Sequence, residues 1–242
     1  MSIQTLYKFK SLSTTEELKH ARSLIHDSEI YFSSPLDFND PFECRPRFRI
    51  GKTEKDKEDY FRNKLNVEPT PEVMDKIDYS RVRENNLKKL KELRVGMCCF
   101  SKTKYEILMY SHYASAHQGF CLEFEVPNED SFFGRIRKVD YSNEYPIVDL
   151  TESDEDQMER TFLYKSKKWK YEKEWRMFAV DIANTVQTFT EELLKGVIFG
   201  CKMDEDYKIL FREWAKKRSS PLQFYEARIK GKEYGLDIVP VD

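Results

Sequence analysis

Apolar and polar positions alternate, then cycle, then alternate again over the first 33 residues. Leu6-Tyr7-Lys8-Phe9 alternates and predicts a short strand. Ser13-Thr14-Thr15-Glu16-Glu17 holds two overlapping capping-box spacings, a hydroxyl followed three residues later by an acid. Leu18, Ala21, Leu24 and Ile25 then recur at helical spacing to about His26. Glu29 to Ser33 predicts a second strand, and Ser34 to Glu43 a turn-rich loop.

Residues 51–94 change character. Lys, Glu, Asp, Arg and Asn dominate, and Leu87, Leu90 and Leu93 leave only a thin apolar stripe. Thr70-Pro71-Glu72 is a helix start, with Pro at the first helical position. This stretch reads as a charged helical insertion in a single domain spanning 1–242. It is either a solvated face or a docking surface for a protein partner.

Strand signals return over Val95 to Ser101, and a helix is predicted over Lys104 to Ala116. Phe120, Leu122, Phe124 and Val126 share one face of a strand by strict period-two alternation. Arg135 to Tyr141 predicts another strand. A helix opens at acidic Thr151 to Gln157 and ends in Lys165-Ser166-Lys167-Lys168, an order that suits the helix dipole. Trp169 to Val180 and Val197-Ile198-Phe199 read as strands, Asp206 to Lys217 as an amphipathic helix, and Leu222 to Ala227 as the last core strand. The elements show no regular βαβ rhythm. The expected class is therefore α+β: a central mixed, partly antiparallel sheet, continuous or split, with flanking helices.

Charge narrows the partners. Lys plus Arg total 41 against 43 Asp plus Glu, a net charge of −2, which argues against a surface given over wholly to nucleic acid or anionic membrane. A local basic patch stays open, and with it a nucleotide or nucleic-acid ligand. Only 8 glycines occur, and neither common phosphate-cradling loop can be written from them. No stretch is long and apolar enough for a membrane span. The first residues lack the apolar run of a secretory leader, and the five cysteines, Cys44, Cys98, Cys99, Cys121 and Cys201, form no C-x-x-C. A cytoplasmic protein with buried thiols is the expectation.

Three motifs carry candidate chemistry. Phe38-Asn39-Asp40-Pro41-Phe42-Glu43 is a turn between aromatics, and it either plugs the fold or presents Asn39 and Asp40 to a ligand. The second runs from Ser101 through Tyr110, His112 and Tyr113 to His117. His112 and His117 are five apart, not the four of a helical zinc pair, so no metal is expected there. In the third, Lys168 to Met177, a strand would send Glu172, Glu174 and Arg176 to one face. They would form either a surface ion-pair ladder, worth little, or a catalytic face able to stabilise positive charge on a sugar carbon.

At these places the chain resembles an uncharacterised bacterial family, the domain of unknown function 2971. The resemblance rests on Leu6-Tyr7-Lys8-Phe9, Phe38 to Glu43, Met109-Tyr110-Ser111-His112-Tyr113-Ala114, Gly119 to Phe124 and Trp169 to Arg176. A more distant similarity is to ADP-ribosyltransferases, whose split sheet cleaves NAD. That similarity implies a first-strand residue at Tyr7 or Lys8, then Ser101 with Tyr110 or Tyr113, and Glu174 on a later strand. Glu174 would hold the ribose and stabilise the oxocarbenium-like state, and Lys8 or Arg176 would meet the pyrophosphate. The expected first-strand His and a clean Ser-Thr-Ser are absent.

Three readings follow. The chain is a module of a bacterial defence or toxin type system, phage defence included, that binds a nucleotide, nucleic acid or protein partner. Alternatively it is an NAD-using ADP-ribosyltransferase-like enzyme, NAD then being its cofactor. The third is a metal-assisted hydrolase or nuclease using Asp40, Glu43, His112 and His117. Whether the chain is an enzyme stays open at this level.

Overall fold

The computed structural model describes residues 3–127 and 132–242, with the side chain of Leu87 outside the described set. In chain order its elements are β1 (Ile3–Lys10), α1 (Thr15–Arg22), β2 (Glu29–Phe32), β3 (Arg47–Arg49), α2 (Glu54–Asn63), α3 (Pro71–Met74), α4 (Tyr79–Glu92), β4 (Gly96–Ser101), α5 (Ile107–Tyr113) and β5 (Phe120–Pro127). There follow β6 (Arg137–Lys138), β7 (Asp140–Ser142), β8 (Ile147–Asp149), α6 (Asp154–Phe162), β9 (Tyr164–Ser166), β10 (Glu174–Ala179), β11 (Thr185–Thr188), β12 (Leu194–Phe199), α7 (Glu205–Ala215), β13 (Gln223–Ile229) and β14 (Leu236–Val241). These elements gather into two compact units. One comprises residues 1–33, 96–138 and 170–242, and the other 34–95 and 139–169.

The first unit is built on an eight-stranded sheet in the order β14-β13-β12-β5-β1-β4-β10-β6. Every neighbouring pair is antiparallel except β12 with β13, so the sheet is mixed as the pattern predicts. β1 pairs with β5 along its whole length, and β4 pairs with β10 along its whole length. Between β1 and β4 a single residue pair, Tyr7 opposite Ser101, is in register. The sheet thus consists of two halves joined at that point.

Both faces of this sheet are covered. On one, Leu6, Leu122, Phe124, Phe100 and Met177 pack with Leu24, Ile25, Phe133 and Phe211. Phe100 meets both Phe124 and Phe133 edge-on, each at 5.6 Å between ring centres, a favoured aromatic geometry. On the other face Phe9, Cys121, Ile198 and Ala227 pack under Met109 and Tyr110 of α5. Period-two reading assigned only one face of β5 to the core; the cover from α5 is what buries Cys121 as well.

Local capping follows the sequence. Thr14 caps α1, with Glu17 returning the bond to the Thr14 backbone. The α1 helix then widens into a π-helical turn, Ser23–Asp27, that ends at Ser28 with φ of 53°. Gly119 opens β5, and a Cβ there would lie 2.2 Å from the Lys10 carbonyl oxygen. Glycine is the residue that permits so close an approach of two backbones.

The second unit holds two short parallel pairs, β3 with β8 and β7 with β9, and the helices α2, α3, α4 and α6. Residues 51–94 are largely helical, as the pattern predicts, and among the described side chains of α2 and α4 the large apolar ones buried are Phe61 and Leu90. Asp149 anchors the unit, accepting hydrogen bonds from Arg49 Nε, Gly51 N and the Thr151 hydroxyl at 2.8, 2.8 and 2.7 Å.

Several elements differ from the pattern. The helix opening near Thr151 stops at Phe162, and Lys165 lies in β9 with its side chain buried against Glu43 at 2.9 Å. A buried acid, not the helix dipole, therefore compensates Lys165. The strand expected from Trp169 begins only at Glu174, because Lys167–Glu172 forms a 3-10 turn and Lys173 takes φ of 46°. Arg135 to Tyr141 splits into β6 and β7. The terminal strand β14 carries too little alternation to be read from sequence.

Candidate functional site

The junction between the half-sheets sets out a row of polar side chains. Glu123 lies opposite Tyr7, Tyr7 opposite Ser101, and Ser101 opposite Glu174. Directly opposed residues share a sheet face, so Glu123, Tyr7, Ser101 and Glu174 cross four neighbouring strands on the face that α5 covers. Two residues along lies Arg176, on the same face of β10.

Burial distinguishes this row from a surface ladder. Ser101 is 1% exposed, Glu172 2%, Glu174 5% and Arg176 0%. Arg176 grips Glu174 with two bonds, Nε to Oε1 at 2.7 Å and Nη2 to Oε2 at 2.9 Å. Such a fork is the strong form of ion pairing, and in low dielectric it gains strength while the two charges lose their hydration. The surface ion-pair reading of Glu174 and Arg176 is thereby overturned. The Ser101 hydroxyl donates to the Glu172 carbonyl at 2.6 Å and accepts from Thr103 N at 3.1 Å. The Tyr113 hydroxyl donates to Glu172 Oε1 at 2.7 Å. Tyr113 on α5 is thus tied to the turn that leads into β10.

A second cluster completes the face. Lys104 Nζ meets Glu123 Oε2 at 2.8 Å and stands over the rings of Tyr225, Tyr7 and Tyr105 at 5.1, 5.5 and 6.0 Å. Burial works against the Lys104 charge, but the bond and charge of Glu123 outweigh it, and the ammonium titrates higher than usual. Burial, then the Glu123 carboxylate, push the Tyr7 phenol well above its ordinary range, so it stays protonated. Tyr7, Tyr113, Tyr171 and Tyr225 are half-buried around this cluster. Half-buried tyrosine offers a ring for stacking and a hydroxyl for hydrogen bonding.

The structure brings together Tyr7, Ser101, Glu174 and Arg176 on one face, and links Tyr113 to Glu172. It takes others away. Lys8 neighbours Tyr7 along β1 and so faces the opposite side, where its ammonium reaches Cys98 Sγ at 3.2 Å and the Cys99 carbonyl at 3.1 Å. Tyr7 and Lys8 therefore do not serve one site. Tyr110 is 0% exposed, edge-on to Phe9 at 4.9 Å, and its hydroxyl has no hydrogen-bond partner among the described residues. It is a core residue and not an exposed stacking platform. His112 is exposed beside Tyr113.

Asn39 and Asp40 belong to the second unit. Asn39 is exposed, Asp40 Oδ1 accepts from Phe42 N at 2.9 Å, and the Phe42 ring is 64% exposed, so it plugs nothing. Among the described residues no group of three or more His, Cys, Asp and Glu could hold a metal ion, which leaves the Asp40–Glu43–His112–His117 reading without a ligand set. Burial raises the thiols of Cys99 and Cys121 far above the usual range, so neither is a poised nucleophile.

Sequence reasoning missed Lys104, Glu123, Tyr171 and Tyr225. Glu123 occupies a polar position of an alternating strand, which normally signals solvent. Lys104 sits in a short loop with no period. Only the pairing of distant strands places them beside Tyr7.

No helix among the described residues is long and apolar enough to cross a membrane. No curated protein and no solved structure matches the chain, so the similarity to ADP-ribosyltransferases finds no counterpart there. Residues 109–177, from α5 through β10 and so including Tyr110, Tyr113, Glu172, Glu174 and Arg176, match the family described as "Protein of unknown function (DUF2971)".

Proposed function

We propose that the chain binds a nucleotide on the tyrosine-bearing face, at the junction of the two half-sheets. The observation behind this reading is the row Glu123–Tyr7–Ser101–Glu174 with half-buried Tyr113, Tyr171 and Tyr225 around it. Rings of this kind stack on a base of any sequence, each contact being worth about 1–3 kcal/mol. The acids and hydroxyls beside them suit the donors of a ribose. Isothermal titration of the purified chain with ATP, NAD, ADP-ribose and a short single-stranded oligonucleotide tests it. One of these ligands saturates the wild type, and Tyr225→Ala weakens it about tenfold or more. No saturable binding of any of the four defeats the reading.

A second reading, NAD cleavage of the ADP-ribosyltransferase type, is favoured by one specific feature. Glu174 stands in register with Ser101 and Tyr7 at the place where the sheet divides. A carboxylate there could face positive charge developing on a ribose carbon. The test is release of nicotinamide from NAD by the wild type and by Glu174→Gln, each with its unfolding midpoint measured. Release by wild type alone, from two folded proteins, supports cleavage. No release by the wild type rejects it and leaves binding standing.

A further inference from the structure

The second unit carries a separate surface around its parallel pair β3 and β8. Arg47 lies opposite Ile147, and the Arg47 N–H donates to the Pro146 carbonyl at 2.8 Å. Arg45, Arg47, Tyr145 and Ile147 are exposed, whereas Pro46 and Val148 are buried. Residues two apart on extended chain share a face. Two arginines, a tyrosine ring and an isoleucine therefore stand together toward water.

Two lysines and a phenylalanine extend this surface at one end. Ser142 of β7 lies opposite Ser166 of β9, so the turn 143–146 starts beside Ser166 and ends at Ile147. Residues 43–47 run between the same two places, because Glu43 meets Lys165 Nζ at 2.9 Å and Arg47 lies opposite Ile147. Lys167 and Lys168 follow Ser166 directly, Phe42 precedes Glu43, and all three are exposed.

The charge on these segments is one-sided, although the chain as a whole carries −2. Arg45, Arg47, Lys167 and Lys168 are cationic, and their side chains enter no hydrogen bond or ion pair among the described residues. Of the acids on 42–47 and 143–147, Glu43 is engaged by buried Lys165, which leaves Glu144. The two rings are open to solvent, Phe42 at 64% and Tyr145 at 44%.

We infer that this surface binds single-stranded nucleic acid, its four cations meeting phosphates and Phe42 and Tyr145 stacking on unpaired bases. Cations that track a backbone, with rings for the bases, are the combination that holds single strands without reading their sequence. A duplex keeps its base faces stacked inside and offers the rings nothing. An acidic peptide answers the charges alone. An anionic membrane calls for a broad apolar face, and Ile147 is the one large aliphatic side chain exposed on these segments. The surface shares no residue with the nucleotide site proposed at the half-sheet junction, so it goes beyond that reading.

The experiment is fluorescence anisotropy of the full chain with labelled oligothymidylate and oligouridylate about 16 nucleotides long. The competitors are a duplex of equal length, polyglutamate, and phosphatidylserine vesicles. The wild type is expected to bind the single strands, with a log–log salt slope approaching about −3 for four phosphate contacts. Arg45→Gln with Arg47→Gln should make that slope shallower by about 1.4 and weaken binding about tenfold or more. Phe42→Ala and Tyr145→Ala should each weaken it about fivefold or more with the slope kept. Tyr225→Ala, at the other site, should leave it unchanged. All these side chains but Tyr225 are exposed, and unfolding midpoints confirm that each variant is folded. Absence of binding by the wild type overturns the proposal, as does binding that the arginine and ring variants leave intact. Stronger binding of the duplex, polyglutamate or the vesicles overturns the choice of partner. Loss in Tyr225→Ala but not in the arginine variant places the strand at the nucleotide site and rejects this surface.

Discussion

Tyr7 on β1 and Ser101 on β4 are the one residue pair in register between the two halves of the central sheet. Strands on either side are zipped along their full lengths, so backbone pairing contributes little at this seam. Side chains close it instead. Lys102 Nζ donates to the Thr5 carbonyl at 3.0 Å, and Lys8 Nζ to Cys98 Sγ at 3.2 Å and the Cys99 carbonyl at 3.1 Å.

Ser101→Ala should be costly for so small a change. It removes the donor to the Glu172 carbonyl and the acceptor for Thr103 N, both in a buried setting. The expected loss is about 1–3 kcal/mol, the range for leaving buried polar groups without partners. Urea unfolding of the wild type and Ser101→Ala measures it. A loss below a few tenths would show that the bonds of this hydroxyl to Glu172 and Thr103 contribute little to stability.

Glu174→Gln should destabilise by about 3–5 kcal/mol, since it removes the charge that answers buried Arg176. Replacing both, as Glu174→Leu with Arg176→Met, should recover much of that loss, because the pair no longer needs desolvation. Chemical denaturation of the three proteins gives the comparison. A double variant no more stable than Glu174→Gln would contradict it.

Tyr110→Phe should be neutral or stabilising, by up to about 1–3 kcal/mol. The hydroxyl it deletes is buried and has no partner among the described residues, and the ring contacts with Phe9 and His117 remain. Thermal unfolding of the two proteins checks this. Clear destabilisation would mean that the hydroxyl is engaged in solution.

Acid should weaken the protein partly through Asp149. Burial alone would raise its carboxyl, but hydrogen bonds from Arg49, Thr151 and Gly51 outweigh burial and hold it at about 2 against the usual 3.8. A lowered folded pKa contributes stability that is complete above about pH 4 and lost as pH falls through about 2. The contribution is of order 2 kcal/mol. Asp149→Asn should be less stable than wild type at pH 6, and the gap should shrink steadily between pH 4 and pH 2. A gap independent of pH would show that Asp149's charge is not what stabilises.

The residues of the candidate site were partly legible. Tyr7, Ser101, Tyr113, Glu172, Glu174 and Arg176 stand out as polar or aromatic residues next to strand patterns. The alternation of Glu174 and Arg176 on one face also holds in β10. The full burial of Glu172 and Arg176 was not legible, because a run of Lys, Glu and Arg reads as solvent-facing unless another element is known to cover it. Lys8 and Tyr110 show the limit from the other side. The distant similarity to ADP-ribosyltransferases implied a ligand-facing role for each, whereas strand pleat turned one away and helix packing enclosed the other.

By itself the sequence determined the local events: the capped start of α1 at Thr14, the alternation of β5, the charged helices of 51–94 and the mixed α+β class. Each depends on residues within a few positions of one another, where capping, spacing and side-chain polarity act directly. Tertiary structure alone decided that β1 and β4 meet at one pair, that Glu123 and Lys104 join Tyr7, and that Arg176 is enclosed with Glu174. Those outcomes rest on contacts between residues tens of positions apart, and on which face of a strand another element happens to cover. No local period encodes either of them.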